Sequence, residues 1–220
     1  MIVYPYKATA GDFELRISLR SLVNVEHEGV IIAGDMPRGL RNVTLVPVLS
    51  EGTRFAKSTA NILAAARATD SATITVMHDD IFLLRPWAFR HENRGTMEEY
   101  LASGVASGEY RQHVIETMDI LAAHGVKDPL WFGLHTPTVY NRENLVDLIE
   151  DFDGQRYLLR TLYHNLHPQP SERREDVKVR GWFRPAADMD VLSISDSCAR
   201  SVAFRRWITD RFPRKSVYEV

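Results

Sequence analysis

The segment Met77-His78-Asp79-Asp80 sets two carboxylates side by side, directly after the apolar, β-branched run from Ala72 to Met77. Two acids so placed repel each other unless a cation lies between or beside them. Mg²⁺ or Mn²⁺ takes oxygen ligands, keeps some waters and commonly bridges to substrate phosphates. An ion held by Asp79 and Asp80 would therefore neutralise a departing diphosphate. The alternative is a solvated turn or a helix N-cap. Ile81, Phe82 and Leu83 follow at once, so the pair stands inside a hydrophobic stretch, which favours the metal.

Other residues offer contacts that a phosphorylated or nucleoside ligand would use. Arg54, Lys57 and Asn61 are spaced by three and four and share one helical face, suited to a nucleotide or equally to solvent. Tyr4-Pro5-Tyr6-Lys7 with Asp12 and Arg16 can form a nucleoside pocket, a tyrosine stacking on the base and Asp12 accepting from a ribose hydroxyl or base amine; a strand aromatic and a capping aspartate explain the same residues. His135, in Gly133-Leu134-His135-Thr136-Pro137, can ligate metal, act as a base, bind phosphate or be structural. Asp196 is a candidate base or acceptor-binding carboxylate, and Lys178 a cation for a diphosphate.

The elements that must position these groups alternate. Ile2 to Tyr6 reads as a short buried strand, and Asp12 then stands at a helix N-cap before Leu15, Leu19, Leu22 and Val23 at helical spacing. Gly29 to Gly34 and Val43 to Val48 are two more strands, Thr53 to Ala68 a helix, and Ala72 to Met77 a fourth strand. Such alternation predicts an α/β fold, a mostly parallel sheet with helices on both faces. Ligands in such sheets bind beyond the carboxyl ends of the strands, which here carry Tyr6-Lys7, Asp35 and Asp79-Asp80. In the second half, Gly95 to Gly108 reads as a loop or short helices, Arg111 to His124 as a helix and Trp131 to His135 as strand-like. Asn141 caps a helix through Phe152, and Asn165 to Arg174 is an exposed loop. Val191 to Ile194 is a last strand, followed by a helix that turns Phe204, Trp207 and Ile208 inward.

Composition excludes several classes. The chain has 220 residues, 45% hydrophobic and 25% charged, enough for one large domain without disulfide staples. Cys198 is the sole cysteine, so no intramolecular disulfide forms, which fits a reducing cytoplasm. A net charge of −2 argues against a nucleic-acid partner, although the cations are 22 Arg against 5 Lys, from a GC-rich genome or a need for planar forks. No apolar run approaches the roughly 18–20 residues of a membrane span. Met1 to Pro5 lacks the basic flank and cleavage site of a signal peptide.

Four blocks, in order, resemble a known pattern. Asp12-Phe13-Glu14-Leu15-Arg16-Ile17-Ser18-Leu19-Arg20-Ser21-Leu22 resembles the "ELRYSLRS" signature of the stealth family, sugar-1-phosphate transferases of capsular polysaccharide synthesis. Met77 to Phe82 resembles their "LNDDvF" block, Gly133 to Pro137 their "H-x-P" block, and Phe212-Pro213-Arg214-Lys215-Ser216-Val217-Tyr218-Glu219 their terminal "fP-x-x-S-x-fE" element. The same order is similar to the short glycosyltransferases encoded by phages of actinobacteria. The chain departs from stealth proteins at His78, where they have asparagine, and at Val3-Tyr4-Pro5-Tyr6, which replaces their "VYTWVDGSD"-type start.

The resemblance implies a GT-A-like (Rossmann-like) single domain over residues 1–220, with a nucleotide-binding half at 1–90 and an acceptor and catalytic half at 91–220. It also implies Mn²⁺ or Mg²⁺ at Asp79 or Asp80 and a reaction-centre role for His135. The resulting expectation is a metal-dependent glycosyltransferase that moves a sugar from a nucleotide-sugar donor to a protein or glycan acceptor in the cytoplasm, the host's if phage-encoded. Tyr4, Pro5, Tyr6, Asp12, Arg16, Asp35, Lys57 and Asn61 would hold the nucleotide, Lys178 the diphosphate, and His135 and Asp196 the reacting sugar and acceptor. Stealth-type sugar-1-phosphate transfer and a non-catalytic nucleotide-sugar or carbohydrate-binding module are the alternatives.

Overall fold

In the computed structural model, residues 1–49, 51–184 and 188–220 are described. The first half runs β1 (Ile2–Tyr6), α1 (Phe13–Ser21), β2 (Val30–Gly34), β3 (Thr44–Pro47), α2 (Arg54–Arg67) and β4 (Thr73–Val76). Then come β5 (Ile81–Leu83), β6 (Glu92–Asn93), α3 (Met97–Ala102), α4 (Gly108–Ala123), β7 (Thr138–Asn141), α5 (Arg142–Asp151) and α6 (Leu159–Leu166). The chain closes with β8 (Glu172–Arg173), β9 (Lys178–Val179), β10 (Val191–Ile194), α7 (Asp196–Ala199) and α8 (Val202–Arg211).

The main sheet has the order β3-β2-β1-β4-β7; its first four strands are parallel and β7 pairs antiparallel with β4. The period-two pattern of β1 explains why both faces are covered. Val3 joins Ile31, Ile74 and Val76 against Ile62 and Ala66 of α2, Leu145 and Leu148 of α5 and Leu162 of α6. Ile2, Tyr4 and Tyr6 point the other way, with Val30 and Ile32, onto Leu15 and Leu19 of α1. A second sheet, β5-β10-β9, carries Phe82, Leu192 and Ile194 onto Phe204 and Ile208 of α8. The expected α/β architecture with a mostly parallel central sheet is the one observed. Strands from both halves of the chain share each of these sheets.

Three expectations need correction. Asp12 precedes α1 but does not cap it: its backbone is left-handed (φ 51°), and its carboxylate accepts from the Tyr6 hydroxyl instead. Trp131 to His135 is not a strand. The backbone pairs only locally, Trp131 with Arg94 and Gly95, while the Trp131 ring stacks on Tyr100 (centroids 4.0 Å apart, 8° between planes) and Arg160 takes the Leu134 and Thr136 carbonyls at 2.7 and 2.8 Å. The strand begins at Thr138. The loop expected from Asn165 starts inside α6, and Asn165 bridges the Leu130 backbone with its amide, both bonds at 2.8 Å.

The chain's last residues clasp α1. Arg20 donates Nε and Nη2 to the two oxygens of Glu219, each at 2.8 Å, and Nη1 to the Phe212 carbonyl at 3.1 Å. Glu219 Oε2 also accepts from the Ser216 amide at 2.8 Å, and the Glu219 side chain is 1% exposed. Truncating one partner of a buried ion pair strands the other's charge. Arg20→Met is therefore expected to destabilise the protein by roughly 3–5 kcal/mol in urea denaturation, while Arg206→Met, which breaks an exposed pair, changes it by less than about 1 kcal/mol.

Candidate active site

The chain leaves β1 toward β2 on one side and returns as β4 on the other. The crevice past the carboxyl ends of β1 and β4 is thus a topological switch point, where open α/β sheets bind ligands. Met77 extends the β4 pairing with a 2.9 Å bond to the Val3 carbonyl, and a turn closed by Ile81 N–H on the His78 carbonyl (3.1 Å) then presents Asp79 and Asp80. The pair does stand on a turn, but a half-buried one. His78 keeps accessible surface while protein surrounds it, as on the floor of a cleft.

Asp80 Oδ2 accepts from Lys178 Nζ of β9 at 2.6 Å and from Ser193 Oγ of β10 at 3.1 Å. Among the described residues Asp79 has no such cationic partner. Burial, helped by the neighbouring Asp80 and Glu14, pushes it up to about 7. Glu14 of α1 is raised as well, by burial and by Asp80 and Asp196, against the pull of Arg205 and Lys178. Glu14, Asp79, Asp80 and Asp196 thus form one acidic cluster with too few cations. Among the described residues no three His, Cys, Asp or Glu side chains converge on a point where an ion would sit. Two acids with surplus proton affinity still fit Mg²⁺ or Mn²⁺, whose coordination phosphate oxygens and waters would complete.

A second charged group faces the first. Asp176 accepts from the His135 amide at 3.2 Å, and its oxygens lie 2.9 and 3.1 Å from His135 Nδ1. Burial alone would raise the Asp176 carboxyl, but His135 and Arg180 hold it down at about 2. A carboxylate at Nδ1 keeps the proton there and leaves Nε2 as the free, basic nitrogen. His78 feels the charges of Asp80, His135, Lys178 and Arg160, so the turn after β4, the 134–136 segment, β9 and the base of α6 converge around it.

The nucleoside candidates divide. Tyr4 is 0% exposed, its hydroxyl 2.9 Å from Ser18 Oγ, so it has no face for a base. Tyr6 is also buried and is spent on Asp12, and Arg16 Nη2 holds the Arg38 carbonyl at 2.5 Å. The expectation that a tyrosine of this strand stacks on a base fails because both rings, Tyr4 and Tyr6, complete the core under α1. Asp35, at the end of β2, is exposed and accepts from the Ala8 amide at 2.8 Å. Lys57 is exposed, whereas Asn61 turns inward with its buried Oδ1 unpartnered. It closes on Gly34, whose φ of 121° and contact with the Asn61 amide leave no room for a Cβ. Pro5 is half-buried, and Asp196 is the exposed first residue of α7, behind its cap Ser195.

No protein-family model matches the sequence, and no curated protein does. Solved structures do. An active-site mutant of LgtC aligns with a TM-score of 0.50 at 12% identity, over 96% of this chain and 94% of that one. The 2-C-methyl-D-erythritol 4-phosphate cytidylyltransferase from Thermus thermophilus aligns at 0.41 and 13% identity, over 80% and 87% of the two chains. The glycosyltransferase GlyE of Streptococcus pneumoniae TIGR4 gives 0.35 and 9%, over 79% and 44%. The fold is GT-A-like. Among the described residues no helix is long and apolar enough to cross a membrane.

Glu14, Ser193, Asp176 and Arg160 join the site without having been singled out as site residues. The alternation Asp176-Val177-Lys178 carried a signal, since residues two apart in an extended segment share a face. Without added metal, Asp79 gives a testable pH dependence. A carboxyl raised from about 3.9 to about 7 costs nothing below the unfolded value, and its penalty grows as pH climbs to the folded one. Asp79→Asn is expected to leave stability unchanged at pH 4 and to raise it by roughly 1–4 kcal/mol at pH 8 in chelator-containing buffer, measured by denaturant titration at both pH values.

Proposed function

We propose that this chain is a glycosyltransferase that uses a nucleotide-diphosphate sugar, with Mn²⁺ or Mg²⁺ at Asp79 and Asp80, and passes the sugar to a protein or glycan acceptor. One observation carries this reading: unbalanced acids, with Lys178 beside them, stand at the switch point of a GT-A-like sheet. The order of the four sequence blocks supports it, as does the fold shared with LgtC. The ion, when bound, supplies positive charge to the leaving diphosphate.

The chain's own residues do the rest. Asp35, exposed at the carboxyl end of β2, would accept from ribose hydroxyls or a base amine. Lys178 contributes a second positive charge beside the diphosphate. His135, oriented by Asp176, presents Nε2 to take a proton from an acceptor hydroxyl. The oxygens of Asp196 and Glu14 border the same space and steer the acceptor. On this reading residues 1–90 bind the donor and residues 91–220 supply the acceptor side.

Thermal-shift titration against UDP-, GDP-, dTDP- and CDP-sugars, with and without Mn²⁺, tests the reading. One nucleotide class should raise Tm by several degrees only when Mn²⁺ is present, since a ligand at about 100 times its Kd adds about 2.7 kcal/mol. Asp80→Asn should abolish that shift and Lys178→Met should weaken donor binding by about 10–100-fold. The absence of any shift with all four donors would sink the proposal. A phosphodiester in the product would assign stealth-type sugar-phosphate transfer, and donor binding without turnover a non-catalytic module.

A further inference from the structure

A cavity of about 220 Å³ shares His78 and His135 with the site and extends between α2, α4 and α6. It exceeds the roughly 150 Å³ that admits a benzene ring, so a single sugar ring is of suitable size. Phe55, Tyr110, Trp131 and Tyr140 supply aromatic wall. The polar lining is incomplete in a specific way. Trp131 Nε1, Arg160 Nε and Thr161 Oγ1 are all buried and all lack a partner among the described residues. Trp131 is 1% exposed and Thr161 0%. An indole N–H and a guanidinium N–H can only donate, and a threonine hydroxyl can also donate.

Arg160 adds charge to this donor set. Its Nη1 donates to the Leu134 and Thr136 carbonyls and its Nη2 to Thr136 Oγ1 at 3.0 Å. Those acceptors are all neutral; Glu92 and Asp176 act on Arg160 only through space, and none of the ion pairs among the described residues involves it. Burial lowers the guanidinium to about 10, so it stays charged at neutral pH. A buried cation tied only to neutral acceptors calls for an anion.

We propose that this cavity is a subsite for an oxyanion borne on a sugar ring, a carboxylate or a phosphate, whose oxygens accept from Arg160, Trp131 and Thr161. The ring lies against the aromatic wall and its far edge reaches His78 and His135. That the ligand is a substrate, transferred sugar or acceptor, rests on the glycosyltransferase reading; that the cavity binds it does not.

Ligand-observed NMR titration of the metal-free, full-length protein tests this with glucuronate, glucose 1-phosphate, inorganic phosphate and, as the neutral control, glucose. At least one of the two sugar anions should saturate where glucose does not, and the tighter of them names the source of the oxyanion. Arg160→Met should weaken binding by about tenfold or more. Thr161→Val, which removes an unpartnered hydroxyl without changing shape, should weaken it by roughly threefold to tenfold and leave folding intact. Lys178→Met should leave it unchanged. Should Arg160→Met fail to unfold cooperatively, Thr161→Val decides alone. The proposal is overturned if neither sugar anion saturates, if glucose binds equally well, if Thr161→Val binds as wild type does, or if Lys178→Met abolishes binding. Anion binding without any nucleotide-sugar binding would remove the transferase reading and leave the subsite.

Discussion

Concentrated negative charge at the carboxyl end of β4 is the constraint around which the rest of the molecule is arranged. Asp79 and Asp80 are adjacent in sequence, half-buried, and joined by Glu14 from α1 and Asp196 from α7. Such a group cannot persist in a folded chain without compensation. The second sheet provides part of it. β10 pairs with β5, the strand that follows the acids, and so carries Ser193 to Asp80; β9, parallel to β10, carries Lys178 to the same oxygen. Asp79 is left uncompensated, and its raised proton affinity is the residue of charge that a bound cation would balance.

Helix α1 shows how one sequence block serves both the site and the fold. Glu14 faces the acids. Ser18 lies 2.9 Å from the Tyr4 hydroxyl and donates to the Ile81 carbonyl at 2.6 Å, and Ser21 accepts from the Leu83 amide at 3.1 Å, so the two serines lock β5 beneath the helix. Arg16 holds the loop at Arg38, and Arg20 holds Glu219 and the Phe212 carbonyl. The blocks at residues 12–22 and 212–219 therefore meet across nearly 200 positions of chain. Most of their polar residues are structural, and only Glu14 approaches the reaction space.

Much of this was legible from residue pattern. The strands that became β1, β2, β4 and β10 were visible because buried strands read as continuous β-branched runs, and Asn141 does cap α5 through its side chain at 3.0 Å. The misreadings share one cause, since local pattern says nothing about a distant partner. Asp12 looks like a cap until the Tyr6 hydroxyl is seen to occupy it. Tyr4 looks like a stacking platform until α1 covers it. Trp131 to His135 has strand composition, but Arg160 claims the Leu134 carbonyl and Tyr100 the Trp131 ring. At the site, the acid pair was readable because its cost is local, whereas the Asp176 partner of His135 lies 41 residues away.

Lys178 and a divalent ion would be competitors as well as allies. Both need Asp80, and Lys178 already takes its Oδ2 together with Ser193. On the proposed reading, Asp79 and Asp80 would hold the ion, and its charge would balance acids that Lys178 and Ser193 only partly offset. Lys178 reaches Asp80 from the β9 side, and its charge and that of His135 both act on His78. On the same reading, a diphosphate beside Lys178 would bring its sugar-bearing end toward His135, which Asp176 orients, so that the ligand would offset part of the cost of gathering these acids.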